Sequence, residues 1–170
     1  MRNLEEVYKT EEQQIKAVKH NFYSLKYIKN PSKLVQKKAI LSNYSAIRFI
    51  KNPSEEIQEI AIIVNPNAIQ YIKNPSNKIR LLAINRDPET IRFIKNPSKT
   101  LQMHAILGDK WPYSSTSCIK NLSEDILYKA IIQINDYKQI ENIKRQLMRE
   151  KELWDKISDE TKLLLEMKTL

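Results

Sequence analysis

The sequence predicts an all-α protein, specifically an α-solenoid of five to six 22-residue, two-helix repeats closed by a C-terminal helical cap. Three observations predict it. The phrase Ile-Lys-Asn-Pro-Ser starts at Ile28, Ile50, Ile72 and Ile94, and a degraded copy, Ile-Lys-Asn-Leu-Ser, starts at Ile119. A fixed period of this length is the mark of stacked supersecondary units. Inside each period apolar residues recur three and four apart, as in Ile57, Ala61 and Ile62, which is helical spacing. The chain holds one glycine, Gly108, among 170 residues. That argues against hairpins, phosphate-cradling loops and dinucleotide fingerprints, which need positive φ or close backbone approach.

Aligned by period, the units begin at Thr10, Ser32, Ser54, Ser76 and Ser98. Ala17, Ala39, Ala61, Ala83 and Ala105 form one column, and Val18, Ile40, Ile62, Ile84 and Ile106 the next. Leu25, Ile47, Ile69 and Ile91 form a third, and Ile28, Ile50, Ile72 and Ile94 a fourth. The spacing predicts a first helix near Pro53–Ile63 and a shorter, partly 3₁₀ second helix near Pro66–Ile72. Asn52-Pro53 is read as opening the first and Asn65-Pro66 the second, because Asn serves as N-cap and proline suits the first helical position. Helices this short are marginal alone, so each unit must be held by its neighbours. The alanine column is expected where helix backbones approach closely, with isoleucines filling the space between units.

The unit (Val/Ile)-(Gln/Arg)-x-x-Ala-Ile-x-x-Asn-Pro-x-Ala-Ile-x-x-Ile-x-Asn-Pro resembles the leucine-rich repeat variant, a short relative of HEAT-like solenoids. It is also similar to Asn-Pro repeat arrays of bacterial, phage and giant-virus proteins. The resemblance spans Thr10 to about Asn121 and implies alternating short helices in a superhelix, without implying an activity. Some leucine-rich repeat variant proteins carry a cysteine-bound iron–sulphur cluster, and this chain departs from them in having only Cys118.

The fifth unit is longer than its predecessors. Gly-Asp-Lys-Trp-Pro-Tyr-Ser-Ser-Thr-Ser stands where the Asn-Pro helix is expected, and it carries Trp111 and Tyr113. Insertions in repeat arrays map to loops, often on the binding side. The Trp111–Tyr113 pair is therefore a candidate contact, against the plainer reading that Trp111 plugs a packing gap. A blurred sixth unit follows from Ser123, with Ile126, Ala130 and Ile131 in the expected columns. Ile140, Ile143, Leu147, Trp154 and Ile157 then predict one longer amphipathic helix, and Ser158-Asp-Glu-Thr a helix start. The chain is read as one domain, 1–170, with repeats over 10–135 and the cap over 136–170.

Net charge is +9, which favours acidic partners. Lys29, Lys51, Lys73, Lys95 and Lys120 recur once per unit, and Arg48 and Arg92 share a second column. Stacked, they would form a ladder of ammonium groups about 10 Å apart, the spacing of packed helices. The alternative is that lysines near helix ends complement the dipole and keep the array soluble. No catalytic or metal constellation stands out, and no cofactor is implied. His20 and His104 fall in unrelated columns, Cys118 is alone, and the acidic residues form no dyad. With no apolar leader and no apolar run long enough to span a bilayer, the expected setting is the cytoplasm, which the lone cysteine also fits. The sequence thus reads as a non-enzymatic binding module, an adaptor or inhibitor (phage-encoded on the resemblance) for a protein with an acidic face. The alternative partner is nucleic acid, gripped by the lysine ladder. Contacts are expected from Lys29, Lys51, Lys73, Lys95, Lys120, Arg48, Arg92, Trp111 and Tyr113.

Overall fold

A computed structural model describes residues 9–108 and 122–169. Among these residues the protein is all-helical, with no strand. Five α-helices of ten residues each recur through the repeats: α1 (Glu11–His20), α2 (Lys33–Ser42), α3 (Glu55–Val64), α4 (Asn77–Arg86) and α5 (Lys99–Gly108). The first four are each followed by a six-residue 3₁₀ helix: Phe22–Tyr27, Tyr44–Phe49, Pro66–Tyr71 and Pro88–Phe93. Further on lie α6 (Glu124–Gln133), α7 (Tyr137–Arg149), α8 (Lys151–Lys156) and α9 (Asp159–Met167). The chain divides into two compact units, Met1–Leu82 and Ala83–Leu170, and α4 runs from one into the other.

In the first unit α1 packs on α2 and α2 on α3, and the first three 3₁₀ helices pack in series in the same order. The repeat columns account for the burial. Ala39, Ala61, Ile40 and Ile62 are fully buried, as are Ala83, Ile84, Ala105 and Ile106 further along. The column Leu25, Ile47, Ile69 and Ile91 is equally shielded. The 3₁₀ helices are N-capped by Asn21, Asn43, Asn65 and Asp87, whose side-chain oxygens each accept the N–H two residues on. Pro66 and Pro88 occupy the first turn, as expected from their fixed φ and missing donor.

The Ile-Lys-Asn-Pro-Ser turns correct the sequence reading. Asn52 does not cap α3. Ser54 does, its hydroxyl accepting from Ile57 N–H at 3.4 Å, and α3 starts at Glu55. Ser32 caps α2 in the same way, and the Ser76 and Ser98 hydroxyls accept from Ile79 and Leu101 N–H. The asparagines are instead left-handed, with φ of 49° at Asn30, 52° at Asn52, 50° at Asn74 and 48° at Asn96. The scarcity of glycine therefore does not mean a scarcity of positive φ. Asparagine supplies it here, because its short amide tolerates the left-handed region better than other Cβ-bearing residues. Replacing Asn52 by alanine should lower stability by about 1 kcal/mol, the order of the left-handed penalty, while Asn52→Gly should match the parent. Denaturant midpoints check this, and equal losses in both variants would trace the effect to the amide group and not to φ.

A glutamine column holds the same turns from behind. The Nε2 atoms of Gln36, Gln58 and Gln102 donate to the carbonyls of Pro31, Pro53 and Pro97 at 2.8, 2.9 and 3.0 Å. α2, α3 and α5 thereby tie down the turns that lead into them, while α4 carries Arg80 at this position.

In the second unit α5 packs on Pro88–Phe93 and on α6, and α9 packs on α6 and α7. The helix expected to run through Trp154 is broken at Glu150, which leaves the helical region with φ −92° and ψ 75° and separates α7 from α8. Trp154 lies seven residues after Leu147, two full turns, so the apolar phase carries no trace of the interruption. Ser158 caps α9 through Thr161 N–H, as its sequence predicts. Lys168 Nζ donates to the carbonyls of Ile132 and Ile134, both at 2.8 Å, closing the C-terminal end of α6.

Candidate partner-binding face

The repeated turn dictates which side chains reach solvent. Ile50 is extended, with φ −89° and ψ 119°, as it leaves its 3₁₀ helix. Extended backbone sends neighbouring side chains to opposite sides. Ile50 is accordingly buried, and Lys51 and Asn52 are exposed. The same pattern recurs at Ile28 with Lys29, Ile72 with Lys73 and Ile94 with Lys95. Trp111, Tyr113 and Lys120 lie outside the described residues.

Three lysines near helix starts differ from the lysines of the turns. Lys33 pairs with Glu56 at 3.2 Å, Lys99 with Asp125 at 2.8 Å, and Lys78 with Glu59. These three sit at or near the first turn of an α-helix and tie it to an acid on a neighbouring α-helix. Among the described residues, Lys29, Lys51, Lys73 and Lys95 enter no ion pair. Net stabilisation from such exposed pairs is small, about 0–1 kcal/mol.

In the first unit, three of the expected contact residues come together. Arg48, Lys51 and Lys73 line a groove of about 520 Å³ with Phe49, Asn52 and Tyr71. Arg48 is held in place by aromatic rings. Its guanidinium carbon lies 4.8 Å from the Phe49 centroid, 5.3 Å from Tyr23 and 5.8 Å from Tyr71, and Nη2 donates to the Tyr23 hydroxyl at 2.9 Å. Such stacking fixes a cation without neutralising it. In the second unit Arg92 likewise lies 4.8 Å over Phe93, but it also meets Glu89 at 3.5 Å. The two arginines of one sequence column therefore differ: Arg92 has a carboxylate and Arg48 does not.

A cluster of acidic residues in the second unit is committed to holding helices together. Glu124, Asp125, Glu160, Ser158 and Thr161 surround a hollow of about 350 Å³. Hydrogen bonds from Ser158 and Thr161 hold the Glu124 carboxyl below its ordinary range, with Ser158 N–H and the Thr161 hydroxyl both 2.7 Å from Oε1. Hydrogen bonds from Lys99 and then Ser123 lower Asp125 to about 2. The Tyr128 hydroxyl donates to Glu160, which raises the phenol. These carboxylates join α6 to α5 and α9. Among the described residues no group of three or more His, Cys, Asp or Glu is placed to hold a metal ion.

Because both depressed carboxyls favour the folded state when ionised, their contribution is full above the ordinary carboxylate range and is lost as pH falls through the folded values, about 2 for Asp125. The melting temperature should therefore fall between about pH 4.5 and 2. Asp125→Asn should flatten part of that slope in a pH series of thermal melts. An unchanged slope would show that other groups govern acid unfolding.

No helix among the described residues is long and apolar enough to cross a membrane. Comparison with family models, curated proteins and solved structures finds no match to the chain.

Proposed function

We propose that the chain is a non-enzymatic binding module, an adaptor or inhibitor, that docks an acidic segment of a partner protein on its Ile-Lys-Asn-Pro-Ser turns. In this reading the repeats continue as one HEAT-like α-solenoid of the leucine-rich repeat variant kind, working in the cytosol. Serial packing of α1, α2 and α3 supports that arrangement, as do four turns with nearly identical left-handed asparagines. Repeat arrays present extended surfaces instead of enclosed pockets, which suits a partner of extended shape.

One observation carries the proposal. Every described turn lysine is exposed without a carboxylate, whereas Lys33, Lys78 and Lys99 each have one. Each turn lysine also follows a buried isoleucine at the same place in its turn, which puts one free ammonium on every described turn. A protein segment is favoured over nucleic acid because Arg48 lies over the rings of Tyr23, Phe49 and Tyr71, occupying aromatic faces that bases would otherwise stack on.

The test is fluorescence anisotropy with a labelled glutamate-rich decapeptide and with single-stranded and duplex oligonucleotides, starting at about 50 mM salt, where phosphate contacts are strong. The acidic peptide should bind and should weaken as salt rises. Absence of peptide binding at low salt would overturn the reading. Tighter oligonucleotide binding, with a salt slope of several contacts, would assign the turns to nucleic acid instead.

A further inference from the structure

The groove between the second and third turns has a more specific chemistry than the turn series as a whole. Three cationic side chains, Arg48, Lys51 and Lys73, border it, and none of its lining residues is acidic. Two of the three extend from turns one repeat apart, so the convergence is a product of repeat packing and not of local sequence. Arg48 is immobilised over Tyr23, Phe49 and Tyr71, with one N–H committed to the Tyr23 hydroxyl. A guanidinium has five N–H donors, so most of them remain for a ligand. Its fixed position also removes much of the entropy that ordering a free arginine would cost.

A single carboxylate would neutralise one of the three cations. A phosphate monoester carries close to two negative charges at neutral pH and three acceptor oxygens. It matches one planar, fork-shaped donor and two point-charge donors. We propose that this groove is a seat for a phosphomonoester carried by a protein segment, so that the acidic partner proposed above is recognised at this position through a phosphorylated side chain. The proposal rests on that reading of the turns. The exposed Asn52 and Asn74 side chains on the same rim are then placed to take the peptide backbone that carries the phosphate.

The test follows backbone amide resonances of the full chain by NMR during titration with a pentapeptide carrying one phosphoserine. The comparators are its unphosphorylated twin, its glutamate twin and inorganic phosphate, all at matched ionic strength. The phosphopeptide should shift the amides of Arg48 to Asn52 and of Lys73 and Asn74. It should bind about tenfold or more tightly than the glutamate twin, the order expected when a dianion replaces a monoanion at a three-cation site. Lys51→Gln with Lys73→Gln should remove the preference. Both lysines are exposed and unpaired, so this variant tests the site even if Arg48→Gln disturbs the aromatic packing. Equal affinity for the phosphorylated and glutamate peptides would overturn the seat, and so would shifts that persist in the double variant. Inorganic phosphate binding as tightly as the phosphopeptide would overturn its assignment to a protein segment. If the glutamate-rich decapeptide binds while the phosphopeptide gains nothing, only the seat fails. If neither binds, the acidic-partner reading fails with it.

Discussion

Replacing Ile62 by alanine should destabilise the protein by about 2–5 kcal/mol, the range for buried isoleucine truncations. Ile62 is fully buried in α3, and its repeat equivalents Ile40, Ile84 and Ile106 are fully buried too. The cost has two sources. The lost methylene and methyl groups forfeit their transfer free energy, and the space they leave in this sealed position closes only in part. Helices of ten residues and 3₁₀ helices of six have little stability of their own, so this cavity loosens the packing that keeps them helical. Against a typical total of about 5–15 kcal/mol, a substantial share of the stability disappears. Ile40→Ala should cost about the same, since the position repeats. Chemical denaturation of the two variants measures this directly. A loss below about 1 kcal/mol, the range of surface changes, would show that the column does not form the core.

The period made the core legible. Once the phrase at Ile28, Ile50, Ile72 and Ile94 set the register, the alanine and isoleucine columns followed, and these residues are buried except at the first alanine, Ala17, which is half-buried. The two kinds of Asn-Pro were not distinguished by the same logic. Asn65-Pro66 and Asn52-Pro53 are the same dipeptide, and capping preference applies to both. Their roles diverge because a serine follows Pro53 and takes the cap at Ser54, leaving Asn52 free to adopt the left-handed turn. Gln36, Gln58 and Gln102 stand five residues after Pro31, Pro53 and Pro97, with Arg80 in the same place after Pro75. The function of the glutamine appears only when the helix folds back over the Pro53 carbonyl. The Arg48 clamp lay further out of reach. Tyr23, Arg48 and Tyr71 come from three successive repeats and occupy different columns, so no comparison of equivalent positions could group them. What decides that site is the lateral packing of three 3₁₀ helices, and its chemical consequence is a cation held in place without a neutralising acid.

Reversing the charge of Lys51 and Lys73 together should weaken binding of an acidic peptide by about 10–100-fold at low salt, because like charges brought together at a contact cost several kcal/mol. The comparison that gives this meaning is Lys16→Glu with Lys37→Glu. Those lysines are exposed on α1 and α2, away from the turns. Each reversal removes two charges, so both double variants fall from +9 to +5. If net charge alone attracts the ligand, the two variants must lose equal affinity, since long-range attraction senses the total field. If the turns are the contact, K51E/K73E must lose far more, and its deficit must shrink as salt screens the exposed charges. Thermal melts should barely separate either variant from the parent, because none of the four lysines is buried or ion-paired and such surface changes stay within about 0.5 kcal/mol. Equal losses in the two double variants would mean that the repeated lysine serves solubility, and the turns would then no longer mark the binding face.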